Sequence, residues 1–183
     1  RGHRRPVQVG PLGLVGVGGR VYSMEPVPDT FGILCSKIGK LRLGNVVPVN
    51  RAVSDSPSML TMSIPRHLNH AGNFYRAHVS EQGSDDEMRV LVQAQTMDSL
   101  FQNNLDRFSF VKCDVEGHEL RCIRGARMFL QDSDASWLVE VSDDPDDSMS
   151  TSPALFNEVF LRGYGAWRFD GTFLREREKG DQC

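Results

Sequence analysis

The stretch FVKCDVEGHEL, residues 110–120, decides the fold class because it joins a strand pattern directly to a helix pattern. Apolar side chains alternating from Phe108 to Asp114 predict a buried strand, and Gly117 permits a turn after it. A periodic apolar stripe then predicts a helix from about Glu119 to Leu130. The stripe consists of Leu120, Ile123, Ala126 and Leu130. A strand that leads at once into a helix is typical of an α/β sheet.

Similar elements are predicted on both sides of this stretch. Before it we expect a strand at 20–25, a helix at 29–41, a strand at 45–50, a loop or irregular hairpin at 55–86, a strand at 88–95 and a short helix at 98–105. After it we expect a second buried strand at 137–141, a helix capped by Ser152 with Pro153 at its first position, and a hairpin that turns at Asp170-Gly171. This order predicts a mostly parallel sheet with an antiparallel C-terminal edge.

Composition and charge narrow the class of protein. At 183 residues, with 39% hydrophobic and 25% charged residues, the chain has the make-up of one globular domain. A net charge of −3 supplies no general attraction for nucleic acid or an anionic membrane, so neither is an expected partner. The four cysteines have no paired spacing, and no apolar run reaches the roughly 18 residues of a membrane helix. These features favour a soluble intracellular, cytoplasmic protein.

Four titratable side chains fall within six residues at the predicted strand-to-helix turn: Asp114, Glu116, His118 and Glu119. His118, with an ordinary pKa of about 6.5, is a candidate general base, and Glu116 is the second candidate. The alternative for His118 is simple exposure at the first turn of a helix. A metal triad of Asp114, Glu116 and His118 is disfavoured, because alternate residues of a turn seldom converge without a distant ligand.

Other candidate motifs point to no site. His67, His70 and His78 lie in the irregular segment without the cysteine or carboxylate pattern of a zinc site. The acidic run at 143–147 lacks the glycine and the terminal glutamate of a calcium loop. The early glycines do not form G-x-G-x-x-G in any register, which argues against a nicotinamide dinucleotide site. No metal is therefore predicted.

Several runs resemble the FkbM-type methyltransferases, S-adenosylmethionine (SAM) dependent O-methyltransferases of the Rossmann-like class. The most specific is the run Lys112 to Glu119. The matching segments, in family order, are 19–26, 50–55, 96–100, 111–120, Gly125-Ala126 and Val139-Glu140. The resemblance implies a Rossmann-like methyltransferase sheet, SAM as the cofactor and methyl transfer to a hydroxyl of a small molecule or sugar.

The resemblance also implies roles for individual residues. Glu25 would hold the ribose hydroxyls of SAM, a task suited to a carboxylate that ends a strand. The turn from Ala52 to Asp55 would flank the adenine, and Asp114 would lie near the methionine part. His118 or Glu116 would take the acceptor proton. The alternative is a catalytically inactive fragment of this fold that acts as a binding or structural module.

The N-terminal segment departs from the family pattern. The loop that receives the SAM carboxylate in this family is not found, and only ten residues, Gly10 to Gly19, lie between Val9 and Arg20. A parallel crossover needs about a dozen residues or more. We therefore expect a truncated or divergent segment at 1–19, a methyltransferase domain at 20–175 and a charged tail at 176–183.

Overall fold

A computed structural model of the chain describes residues 15–16, 18–65, 77–80, 87–103, 108–141 and 144–181. The chain divides into two compact units, Arg1–Ala52 and Val53–Cys183. Residues 1–14, His67, His70, Asp143 and Cys183, on which some expectations rest, lie outside the described residues.

The first unit contains a strand-helix-strand arrangement. Strands β1 (Val21–Met24) and β2 (Val46–Val49) are parallel, with Val21 opposite Val46. They are joined through helix α1 (Pro28–Lys40), in which a proline opens the first turn and lysines occupy the last, as the helix dipole favours. The predicted elements are confirmed, except that α1 ends at Lys40 and Leu41 follows it as an exposed residue.

The second unit begins with a four-stranded sheet whose order is β3-β6-β4-β5. Its strands are β3 (Ala52–Val53) at the boundary of the units, β4 (Ser58–Pro65), β5 (His78–Val79) and β6 (Glu87–Gln95). Strand β4 pairs antiparallel with both β5 and β6. A regular strand therefore occupies part of the segment predicted as a loop or irregular hairpin. The strand could not be recognised from the sequence, because serines and a threonine interrupt its apolar pattern. The burial of Met62, Ser63 and Ile64 arises only in the folded sheet.

Short helix α2 (Met97–Phe101) leads to a second parallel pair, β7 (Phe110–Cys113) and β8 (Ser136–Val139). Both strands were expected to be buried, and this was wrong. Phe110 is 49% exposed and Leu138 is 53% exposed, so one face of the pair is open. Across the described residues the fold is α/β. Strands β1-β2 and β7-β8 pair in parallel, whereas β4-β5 and β4-β6 pair antiparallel. The strand pairing is therefore mixed, and the expectation of a mostly parallel sheet was wrong.

The predicted helix at 119–130 is two short helices, α3 (Glu119–Arg124) and α4 (Arg127–Asp132). The break falls at Gly125, where the chain passes so close to Ser54 that a Cβ atom would stand 1.9 Å from its carbonyl oxygen. Most of the predicted stripe is confirmed as core. Ile123, Ala126 and Leu130 are fully buried, together with Phe129.

The last elements are helix α5 (Ser152–Phe160) and the antiparallel hairpin of β9 (Trp167–Phe169) and β10 (Leu174–Glu176). Ser152 was predicted to cap α5, but Thr151 is the N-cap residue and Ser152 is the buried first residue of the helix. The hairpin confirms the antiparallel C-terminal pair. Of the helices described here, none has the length and apolar character needed to cross a membrane.

Candidate functional site

The turn between β7 and α3 has a constrained backbone. Glu116 (φ 50°) and Gly117 (φ 90°) are both left-handed, a conformation that costs a non-glycine residue of order 1–3 kcal/mol. The carboxylate of Glu119 stabilises it, because its Oε1 accepts hydrogen bonds from the backbone N–H of Val115 (3.2 Å) and Gly117 (3.1 Å). The buried Glu119 is therefore a structural clamp, which leaves Glu116 and Asp114 at the exposed surface of the turn.

His118 is 9% exposed, which excludes the interpretation as an exposed helix-start residue. Its Nε2 lies 3.0 Å from the hydroxyl of fully buried Ser54. Burial, aided by the nearby positive charge of Arg121, lowers the pKa of His118, although Asp55 and Glu119 oppose this shift. A neutral imidazole at neutral pH follows. Its role as the general base stays a prediction.

Removal of this imidazole should destabilise the fold. We expect His118→Ala to lower the free energy of unfolding by about 1–2 kcal/mol near pH 8, because the Ser54 hydroxyl loses its buried partner. Because the pKa of His118 is lower in the folded state, its contribution to stability is full above its unfolded-state pKa of about 6.5. That contribution is lost as the pH falls through the folded-state pKa. The difference between variant and wild type should therefore shrink in acid.

Urea unfolding at pH 8 and pH 5.5 measures the loss of stability and its pH dependence. Ser54→Ala is the matched variant, because it removes the same hydrogen bond from the other side. A His118→Ala variant as stable as wild type at pH 8 would show that the contact carries no stability.

Asp114 and Glu140 form a carboxyl pair at the carboxyl ends of β7 and β8. Cys113 is opposite Val139, and the Glu140 N–H donates to the Cys113 carbonyl (2.9 Å), so the two acids are neighbours across the pair. The hydrogen bond with Glu140, followed by that with Lys112, lowers the pKa of Asp114. The same hydrogen bond and the charge of Asp114 raise the pKa of Glu140 to about 7. The two carboxyl groups therefore titrate as a coupled pair, in which Asp114 ionises before Glu140.

A pocket of about 150 Å³ opens beside this pair, and we call it the strand-end pocket. It is lined by Gly117, Glu119, Glu140, Val141, Thr151, Ser152 and Leu155. Carboxylates and hydroxyls line part of it and aliphatic side chains line the rest, a combination suited to a small polar ligand. The structure thus brings the Asp114 turn, Glu140 and the start of α5 to one place.

The remaining predicted residues have local partners. In the first unit, Glu25 Oε1 accepts the Val27 N–H (2.9 Å), and burial raises the pKa of Glu25 although that hydrogen bond opposes the shift. Asn50 Nδ2 donates to the Glu25 carbonyl (2.8 Å), and Ala52 is buried. In the second unit, Asp55 Oδ1 accepts the Ser54 hydroxyl (3.3 Å).

The sequence patterns assigned no individual role to Glu140 or Glu119, and Ser54 was expected only as part of the turn that flanks the adenine. Glu140 could have been found, since it directly follows a predicted strand, the criterion that singled out Glu25 and Asp114. Ser54 and Glu119 carried no such signal, because their importance comes from burial. Within the described part of the chain, no group of three or more His, Cys, Asp or Glu side chains is arranged to hold a metal ion.

Comparison with known families identifies the chain. The model of the methyltransferase FkbM domain matches residues 11–165, which is most of the sequence. The chain belongs to the FkbM methyltransferase family. The crystal structure of methyltransferase FkbM from Methylobacillus flagellatus KT is similar at a TM-score of 0.50 and 16% identity, over 79% of this chain and 33% of that one. The chain thus spans about a third of the length of that protein, and the likeness shows the fold alone. No protein of curated function matches the chain.

The FkbM resemblance seen in the sequence is confirmed, and several of its runs meet in the second unit. Thr96 caps α2 by accepting the Ser99 N–H (3.1 Å). The Asp98 carboxylate accepts hydrogen bonds from the N–H groups of Met128 (3.0 Å) and Phe129 (2.8 Å). Asp98 thus caps the start of α4, although it belongs to a different helix. These residues of the 96–100 run therefore serve the fold.

Proposed function

We propose that the chain is a SAM-dependent O-methyltransferase that acts on a hydroxyl of a small molecule or sugar. The observation that carries this proposal is the FkbM methyltransferase match over residues 11–165. Within the structure, the acids that end strands support it. A Rossmann-like arrangement, in which ligands bind at the carboxyl ends of parallel strands, is part of the same proposal.

The residues present fit SAM by their chemistry. SAM supplies a methyl group on a cationic sulfonium, and it also carries an ammonium group and a ribose diol. Carboxylates accept hydrogen bonds from a diol and attract cations. Glu25 would hold the ribose hydroxyls with the oxygen that does not accept the Val27 N–H. Asp55 and Ala52 would flank the adenine, and Asp114 would face the methionine part.

Catalysis needs only positioning and removal of a proton. Methyl transfer is an in-line displacement, so holding the acceptor oxygen in line with the methyl group lowers the barrier by several kcal/mol. A general base contributes about 10²–10⁴-fold. The sequence names Glu116 and His118 for this role; in the structure Glu116 is exposed at the turn, whereas His118 contacts the Ser54 hydroxyl.

Binding of SAM is the direct test. At a SAM concentration of 100 Kd, binding should add about 2.7 kcal/mol to the free energy of unfolding, which raises the Tm by roughly 5–10 °C. Thermal-shift titration of the full chain measures this, and NAD is the control, because it shares the adenosine but lacks the sulfonium. No shift at millimolar SAM would contradict the proposal and favour the catalytically inactive module.

Glu25 variants test the cofactor residues. Glu25→Ala should weaken SAM binding by about 1.5–3 kcal/mol, the range for hydrogen bonds to a charged group. Glu25→Gln is the matched control, because its amide oxygen can still accept the Val27 N–H while the charge is lost. Unchanged SAM affinity in both variants would restrict Glu25 to its local structural contact.

A further inference from the structure

The strand-end pocket has the size and lining of a site for one edge of a polar ring. Its volume of about 150 Å³ is comparable to a cavity that accepts benzene, whose six carbons are about half the heavy atoms of a hexopyranose. Glu140, Thr151 and Ser152 supply polar groups, while Leu155 and Val141 supply apolar surface. Such a mixed lining matches a pyranose, which carries hydroxyl groups at its rim and C–H groups on its faces.

The carboxyl pair places a proton acceptor at this pocket. Glu140 both lines the pocket and neighbours Asp114 across the β7-β8 register. The second carboxylate of the pocket, Glu119, is held by the backbone N–H groups of Val115 and Gly117, so it is committed to the turn. The imidazole of His118 is likewise held by its contact with the Ser54 hydroxyl. Of the acids in the pocket lining, Glu140 is the one without a structural task of this kind.

We propose that the strand-end pocket binds a pyranose acceptor and that Glu140, paired with Asp114, takes the proton of its reacting hydroxyl. This inference rests on the proposed function and deepens it. As the acceptor oxygen attacks the methyl carbon, its O–H bond breaks and the proton passes to the Glu140 carboxylate. The C–O bond forms, the S–C bond breaks, and its electron pair returns to sulfur, which leaves as a neutral thioether.

The environment of Glu140 suits this role. Asp114, Glu116 and Glu119 are the negative groups that face it and raise its pKa to about 7, while Lys112 is paired with Asp114 (2.5 Å). A base of this pKa is largely ionised just above neutrality and still accepts a proton well. We therefore expect the methyl-transfer rate to rise with pH and to level off above about 7.

Three measurements on the full chain test the proposal, with methyl α-D-glucopyranoside as the probe. In NMR titration, the pyranoside should shift the amide signals of Gly117, Val141 and Leu155. With SAM carrying a deuterated methyl group, mass spectrometry should detect transfer to the pyranoside. Glu140→Gln should lower turnover by about 10²-fold or more at pH 8 without lowering the Tm. Glu176→Gln, on exposed strand β10, is the matched control and should behave as wild type.

A stability measurement reports on the carboxyl pair without any acceptor. Because the folded pKa of Glu140 is raised above the unfolded value of 4.5, its contribution to stability is full below pH 4.5 and is lost as the pH rises through about 7. His118 makes the same opposing contribution in wild type and in Glu140→Gln. Urea unfolding at pH 5 and pH 8 should therefore show a larger loss of stability with rising pH, or a smaller gain, in wild type than in Glu140→Gln.

The outcomes separate this inference from the proposed function. Absence of SAM binding in the thermal-shift titration counts against the proposed function. If SAM binds, the inference is overturned by any of three results: no pyranoside shift at the pocket amides, binding without methyl transfer, or equal turnover and pH dependence in wild type and Glu140→Gln.

Discussion

The Gly125→Ala variant should have a free energy of unfolding about 3 kcal/mol below that of the wild-type chain, at the upper end of the range for overpacking. The added Cβ would stand 1.9 Å from the Ser54 carbonyl oxygen and 2.8 Å from the carbonyl carbon. Both atoms are backbone, so no side chain can rotate away to relieve the clash. Separation of α3 from the Ser54 segment would also strain the Ser54–His118 hydrogen bond.

Thermal unfolding of the full chain measures this effect, with an expected fall in Tm of roughly 6–12 °C. Gly165→Ala is the matched control, because its Cβ would meet only Trp167 Nε1 at an ordinary distance of 3.5 Å. The control should stay within about 0.5 kcal/mol of wild type. A Gly125→Ala variant as stable as the control would mean that the chain does not approach Ser54 so closely.

Asp98→Ala should lower the free energy of unfolding by about 2 kcal/mol. The substitution removes the acceptor for the N–H groups of Met128 and Phe129 at the start of α4. The Met128 contact is exposed, but the Phe129 contact is part-buried, and a donor shielded from water without a partner costs about 1–3 kcal/mol. Phe129 is fully buried and stacks edge-on against Trp137 at 5.7 Å. The damage should therefore reach the core and remain measurable by urea unfolding.

Two variants control for the loss of charge. Asp98→Asn keeps one acceptor oxygen and should be destabilised by about half as much as Asp98→Ala. Asp132→Ala, an exposed acid at the other end of α4, should be neutral or slightly stabilising, because an acid is unfavourable at a helix C-terminus. Equal stability of Asp98→Ala and Asp132→Ala would contradict the capping role.

These contacts show that much of the family pattern in the second unit maintains the fold. Asp98, Gly125 and Glu119 hold backbone segments together through hydrogen bonds or close approach. Asp114 and Glu140 remain at the surface next to the strand-end pocket, where a ligand can reach them. A sequence motif alone does not distinguish residues that stabilise the fold from residues that bind a ligand, since both roles use the same polar residue types.

The sequence by itself determined the elements whose signals are local. The strand at 21–24, helix α1, the strand-turn-helix around Gly117 and the C-terminal hairpin follow from prolines, glycines and apolar periodicity within a few residues. The family resemblance followed from the run at 111–120 together with weaker runs in order. The carboxylates at strand ends could be found for the same reason, because they directly follow those strands.

Only the tertiary structure decided the features that depend on distant segments. Strand β4 is regular because β6 pairs with it along its whole length, although its own side chains carry no clear period. Helices α3 and α4 are separate because the Ser54 backbone occupies the space at Gly125. His118 is buried against Ser54, 64 residues away, and Glu140 is neighboured by Asp114 through strand register. Burial and hydrogen-bond partners are set by long-range packing, which overrides what local residue patterns favour.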